Sequence, residues 1–150
     1  MRKILIPTDF SVWSLKLAEY AFGLYPEEII DLLLVYPYKL ELSDSEFYRF
    51  SPRRIIAELN SKEFKSAKNQ LVNRFYININ NIEMELFTGI NSLAFQNFRD
   101  RHQIKTAVVP QKGFLDFSHS SAFDPLHLIQ NNIKEVHSIS VERNVPDSYL

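Results

Sequence analysis

Met1-Arg2-Lys3-Ile4-Leu5-Ile6-Pro7-Thr8-Asp9-Phe10-Ser11 opens the chain and decides its fold. Ile4-Leu5-Ile6 is short, wholly apolar and rich in β-branched residues, which suits a strand buried on both faces of a parallel sheet. Pro-Thr-Asp follows at once, and Ser11 stands as a helix N-cap. Asp9 is thereby predicted at the carboxyl end of the first strand, where ligands of open α/β sheets bind.

Outward from this stretch, strand and helix patterns alternate. Ser14, Leu17, Ala18 and Ala21 fall at helical spacing, with Gly23 and Pro26 as stop signals. Ile29 to Tyr36 reads as a second buried strand ended by Pro37. Residues 37–52 form the longest irregular stretch, long enough to cover a site or a partner surface. Arg53 to Tyr76 is predicted as one helix, with Ile56, Leu59, Phe64, Ala67, Leu71 and Phe75 on one face. Ile82-Glu83-Met84-Glu85-Leu86 alternates strictly, as an edge strand with one wet face does. Gly89 turns the chain and Asn91 caps a short helix through Phe98 and Arg101. Ala107-Val108-Val109 is a buried strand ended by Pro110. Asp124 and Pro125 read as N-cap and first residue of a last helix. Val136 to Val141 alternates as a second edge strand, and residues 142–150 are a polar, fraying tail. The pattern predicts a single α/β domain over residues 1–150, built on a doubly wound parallel sheet of five strands.

Composition narrows the function classes. The chain has 150 residues, 45% of them hydrophobic and 23% charged, ordinary for a globular domain with a substantial core. A net charge of −1 gives no basic field for nucleic acid. The absence of cysteine removes disulfides, thiolate metal sites and thiol catalysis, and fits a reducing compartment. The apolar run after Lys3 stops at Pro7, too short for a secretory signal core, and no run approaches membrane-spanning length. A cytoplasmic location is the expectation. No Gly-x-Ser-x-Gly elbow, dinucleotide fingerprint or Gly-Lys-Ser/Thr phosphate loop occurs, and three glycines make backbone cradles scarce. Asp116, His119, Asp124 and His127 have metal-ligand chemistry but no metal-site spacing, and a solvated loop and helix surface accounts for them. No catalytic constellation is present.

Lys-Ile-Leu-Ile-Pro-Thr-Asp-Phe-Ser at 3–11, with Ser14 and an alanine-containing helix behind it, resembles the opening of the universal stress proteins. Leu-Leu-Leu-Val-Tyr at 32–36 resembles that family's second strand, and Thr88-Gly89 the turn after its third. The resemblance implies a Rossmann-like sheet of the adenine nucleotide alpha hydrolase type, strand order 3-2-1-4-5, and homodimers paired through the last strand, here Val136 to Val141. That order puts the two alternating strands at the edges, and the topological switch between the first and fourth strands. By resemblance Pro7, Thr8, Asp9 and Val35 lie on the adenine and ribose side of a nucleotide site, and Val109 and Gly113 on its phosphate side.

The phosphate side departs from the family. Its ATP-binding members carry Gly-x-x-Gly after the fourth strand and Gly-Ser or Gly-Thr opening the last helix. Glycines let the backbone approach phosphate, and N–H groups at the helix start donate to it. Here Val109-Pro110-Gln111-Lys112-Gly113 keeps the second glycine alone. Pro110 has no N–H to give, and Phe123, Asp124 and Pro125 stand where Gly-Ser belongs. Asp124 as a cap takes the donors a phosphate needs and repels it, filling the role worth about 0.3–1 kcal/mol to an anion there. The expectation is a non-catalytic stress-response or regulatory module, homodimeric and without standard ATP binding. The alternative is a stress protein binding ATP or AMP through a rearranged loop using Lys112, Ser118, Ser120 or Ser121. Asp9 is then either a ligand contact or a structural turn residue. Tyr36, Tyr38, Phe47, Tyr48 and Phe50 cluster about the long loop, as a protein-partner surface or as a lid packed on the sheet.

Overall fold

Strands and helices alternate as the hydrophobic pattern requires. The computed structural model describes residues 1–40 and 50–141. Their order is β1 (Arg2–Pro7), a single 3₁₀ turn (Val12–Ser14), α1 (Leu15–Leu24), β2 (Ile30–Pro37), α2 (Pro52–Leu59), α3 (Lys62–Arg74), β3 (Ile79–Phe87), α4 (Ser92–His102), β4 (Thr106–Pro110), α5 (Leu126–Asn132) and β5 (Glu135–Ile139). The strands form one parallel sheet in the order β3-β2-β1-β4-β5, the order expected from the resemblance.

The pleat divides the core in two. Ile4, Ile6, Leu32 and Leu34 enter a cluster with Leu17, Phe22, Phe64 and Leu71 from α1 and α3. Leu5, Leu33, Val35, Ala107 and Val109 enter the other, with Phe95, Phe98 and Ile129 from α4 and α5. Both faces of β1, β2 and β4 are therefore dry, which is why those segments are near-continuously apolar. β3 and β5 each pair on one side only and alternate accordingly. Gly89 follows β3 where only glycine fits, since a Cβ there would lie 2.3 Å from the Cβ of Ala94.

Several boundaries differ from expectation: β3 starts at Ile79 rather than Ile82, and Ser11 caps the 3₁₀ turn ahead of α1. The helix predicted from Arg53 to Tyr76 is two helices, α2 and α3, broken at Asn60 and Ser61. Ser61 starts α3 by accepting the Phe64 N–H at 3.1 Å, and an N-cap side chain of this kind stabilises a new helix by about 1 kcal/mol. The last helix begins at Leu126, with Pro125 in the cap position rather than the first turn. The last strand ends at Ile139, short of Val141. Gln111 clasps Val141 from the loop after β4, its Oε1 accepting the Val141 N–H at 2.9 Å and its Nε2 donating to the Val141 carbonyl at 2.5 Å. Phe47, Tyr48 and the tail 142–150 lie outside the described residues. Tyr36 is buried in the α1–α3 cluster, and Tyr38 and Phe50, half-buried, stack at 6.1 Å and pack against it.

The end of α1 is tied to the edge strand β5 through Tyr25. Its hydroxyl donates to Glu135 and lies 2.8 Å from His137 Nε2, and the Arg2 guanidinium sits 4.0 Å above its ring. Burial, then the bond to Glu135, pushes the Tyr25 hydroxyl up to about 12. A raised folded-state pKa stabilises below the unfolded value of about 10 and loses that contribution as pH rises from there toward 12. Denaturant titrations across pH 9–11 are expected to show wild type losing stability faster than Tyr25→Phe.

Candidate functional site

The topological switch lies between β1 and β4, and the geometry there begins with a short pairing. β1 meets β4 at Ile4↔Thr106 and Leu5↔Ala107, whereas it meets β2 along its whole length to Pro7↔Val35. Past Leu5, Ile6 and Pro7 have no partner on β4, so a crevice opens at the carboxyl ends. Pro7, Thr8 and Val35 are buried at its β1–β2 lip, Val109 and Pro110 at its β4 lip.

The turn after β1 is held rigidly. Thr8 Oγ1 accepts the Phe10 N–H at 3.0 Å and bonds Ser14 Oγ at 2.8 Å. Phe10 adopts a left-handed conformation, φ 61°, with its ring buried 5.4 Å from both Tyr36 and Phe64. A bulky residue there costs about 1–3 kcal/mol, tolerated because the ring is locked in the core. One Asp9 oxygen accepts the Ser11 N–H at 2.9 Å and the Ser11 hydroxyl at 2.5 Å; the other accepts the backbone N–H of Asp116 at 2.9 Å.

That last bond draws the loop after β4 across the crevice. The loop leaves β4 by a turn in which the Phe114 N–H reaches the Gln111 carbonyl at 3.2 Å and Gly113 takes φ 90°, the glycine position of a type II turn. Phe114 and Leu115 are then buried in the cluster that holds Ile6, Phe10 and Tyr36. Farther on, the Lys39 N–H donates to the Ser121 carbonyl at 2.6 Å, and Tyr38 and Ala122 form an antiparallel bridge. Phe123 reaches the other cluster, 6.0 Å from Phe87. The loop is thus fastened to the ends of both β1 and β2, its apolar side chains turned inward. At its end an Asp124 oxygen accepts the Leu126 N–H at 3.0 Å, taking the first donor of α5.

Of the residues singled out from sequence, Pro7, Thr8, Asp9 and Val35 come together at one lip. Val109 is wholly buried, and Gly113 stands exposed in its turn. Burial first, then the nearby Asp9 charge, raises the Tyr36 hydroxyl above its ordinary value. Asp116, His119, Asp124 and His127 do not assemble; among the described residues no three histidine, aspartate or glutamate side chains gather as metal ligands. His119 accepts from the Ser121 N–H and His127 pairs with Asn131. Composition and motif gave no sign of a broad open groove of about 1100 Å³ at the opposite, amino end of the strands, bordered by Arg2, Lys3, Arg99, Lys105 and Lys134.

No family model and no curated protein matches the sequence. Solved structures do match. The universal stress protein UspA from Lactobacillus plantarum is 16% identical with a TM-score of 0.52, over 94% of this chain and 97% of that one. A universal stress protein in complex with cAMP is 14% identical with a TM-score of 0.52, over 94% and 97%. A universal stress protein family protein from Arabidopsis thaliana with AMP bound is 12% identical with a TM-score of 0.51, over 99% and 98%. Shared architecture over nearly the full length at such low identity fixes the backbone plan: the chain has the universal stress protein fold.

Proposed function

We propose that this chain is a divergent universal stress protein: a non-catalytic regulatory module of the cytoplasm that has given up standard ATP binding and works as a homodimer. The observation that carries the reading is the loop from Gln111 to Pro125, whose Phe114 and Leu115 fill the space beside Phe10 and whose Asp116 N–H occupies Asp9. Two of the neighbours were solved with AMP or cAMP; the crevice at the topological switch is where an open α/β sheet takes a ligand, and here the protein's own loop lies across it. The donors an anion needs at the start of α5 are reduced by Pro125 and engaged by Asp124. AMP tests this in a thermal melt. A ligand at a hundred times its Kd adds about 2.7 kcal/mol, so AMP at 10 mM is expected to leave Tm unchanged; a rise of several degrees would restore the nucleotide-binding alternative.

The dimer is proposed through the open edge of β5. The Glu135 N–H donates to the Lys105 carbonyl at 3.1 Å. By the two-residue period, Val136 and Ser138 turn their N–H groups to the unpaired side. Ser138→Pro removes one outward donor while sparing the ladder to β4. Light scattering at micromolar concentration is expected to give a dimer for the wild type and a monomer of nearly unchanged Tm for Ser138→Pro.

A further inference from the structure

Strand register sets three lysines in a row across the floor of the amino-end groove. Ile4 pairs with Thr106 and Thr106 with Glu135, so the residues just before them, Lys3 on β1 and Lys105 and Lys134 at the entries to β4 and β5, are lateral neighbours. All three border the groove, with Lys105 and Lys134 exposed. Neighbouring strands run about 4.8 Å apart, giving a row of roughly 10 Å. Like charges side by side on a sheet oppose each other. None of the three lysines makes an ion pair with a described residue. Two of the groove's carboxylates are held by arginine, Glu28 on Arg2 at 2.7 Å and Asp100 on Arg99 at 2.9 Å; the third, Asp31, accepts from Asn80 at 2.7 Å and stands beside Lys3 in register on β2, one negative charge at the end of a row of three positive ones. The carbonyl ends of α4 and α5, which wall the groove, favour cations and make the row tolerable without neutralising it.

We infer that this groove binds a small oligophosphate, a ligand with two or more linked phosphate groups, on Lys3, Lys105 and Lys134. Ammonium groups suit phosphate as point charges. An extended acidic peptide repeats its same-side carboxylates at about 6.7 Å, out of step with the row, whereas linked phosphates present continuous charge along it. The site stands at the opposite end of the strands from Asp9 and does not depend on the crevice.

Titration calorimetry of the full chain with inorganic tripolyphosphate, against orthophosphate and sulfate at matched ionic strength, tests it. Saturable binding is expected for tripolyphosphate, at least tenfold tighter than for either control. Lys105→Gln, at the centre of the row, is expected to weaken it at least tenfold and, without anion, to raise Tm by about 1–3 °C by relieving repulsion. The exposed Lys134→Gln should weaken binding in the same direction. Equal affinity for all three anions, or affinity unchanged in both variants, overturns the assignment. So does binding lost in Lys112→Gln and kept in Lys105→Gln, which moves the anion to the crevice loop.

Discussion

Phe114→Ala is expected to destabilise the protein by about 3–5 kcal/mol, the range for removing a buried phenyl ring from a packed core. For a chain of this size that lowers Tm on the order of 10 °C. The effect is large because the loop after β4 is part of the core: Phe114 is 4% exposed and packs in the cluster of Ile6, Phe10, Tyr36 and Val141. Were the loop a lid resting over an open crevice, truncation would cost well under 1 kcal/mol, as surface changes do. Urea denaturation of the variant, beside Lys112→Ala on the exposed side of the same turn, separates the two. Lys112→Ala is expected to stay within about 0.5 kcal/mol of wild type.

The second large effect is at Asp9. Asp9→Ala is expected to cost about 2–4 kcal/mol, because the carboxylate serves the Ser11 N–H, the Ser11 hydroxyl and the Asp116 N–H, and bonds to a charged acceptor are worth about 1.5–3 kcal/mol each before water replaces the exposed ones. The sign matters as much as the size. A carboxylate held ready for a ligand is commonly a liability to the fold, and its removal is neutral or stabilising. A carboxylate that fastens two segments together stabilises, and chemical denaturation of Asp9→Ala reads the difference directly. Hydrogen exchange at Asp116 should accelerate in the same variant, since its amide loses its acceptor.

The sheet was legible because burial on two faces and burial on one face leave different patterns. Ile4-Leu5-Ile6 and Ala107-Val108-Val109 had no wet side to record, whereas Ile82 to Leu86 recorded one at every second residue. The break between α2 and α3 escaped the periodicity because Ile56, Leu59, Phe64 and Leu71 all belong to the same face of the sheet whether or not the helix axis is continuous. The loss of phosphate chemistry was legible at Pro110, Asp124 and Pro125, since each removes or occupies a donor. What replaced it was not. Phe114 and Leu115 sit in a stretch without period, and nothing local says that they turn inward. The partner of Asp9 is a backbone N–H 107 positions away, a contact that exists only once the sheet is assembled. The lysine row is hidden for the same reason, because its members become neighbours through strand register alone.

The central claim is that the crevice at Asp9 is closed by the protein's own loop. Its most direct test is an amide NMR titration with ATP up to 10 mM, followed at Thr8, Asp9 and Asp116, which reads that lip and no other surface. Unmoved resonances, with the Asp116 amide protected from exchange throughout, are the predicted result. Saturable shifts at Asp9 and Asp116, with loss of that protection as nucleotide displaces the loop, would contradict it.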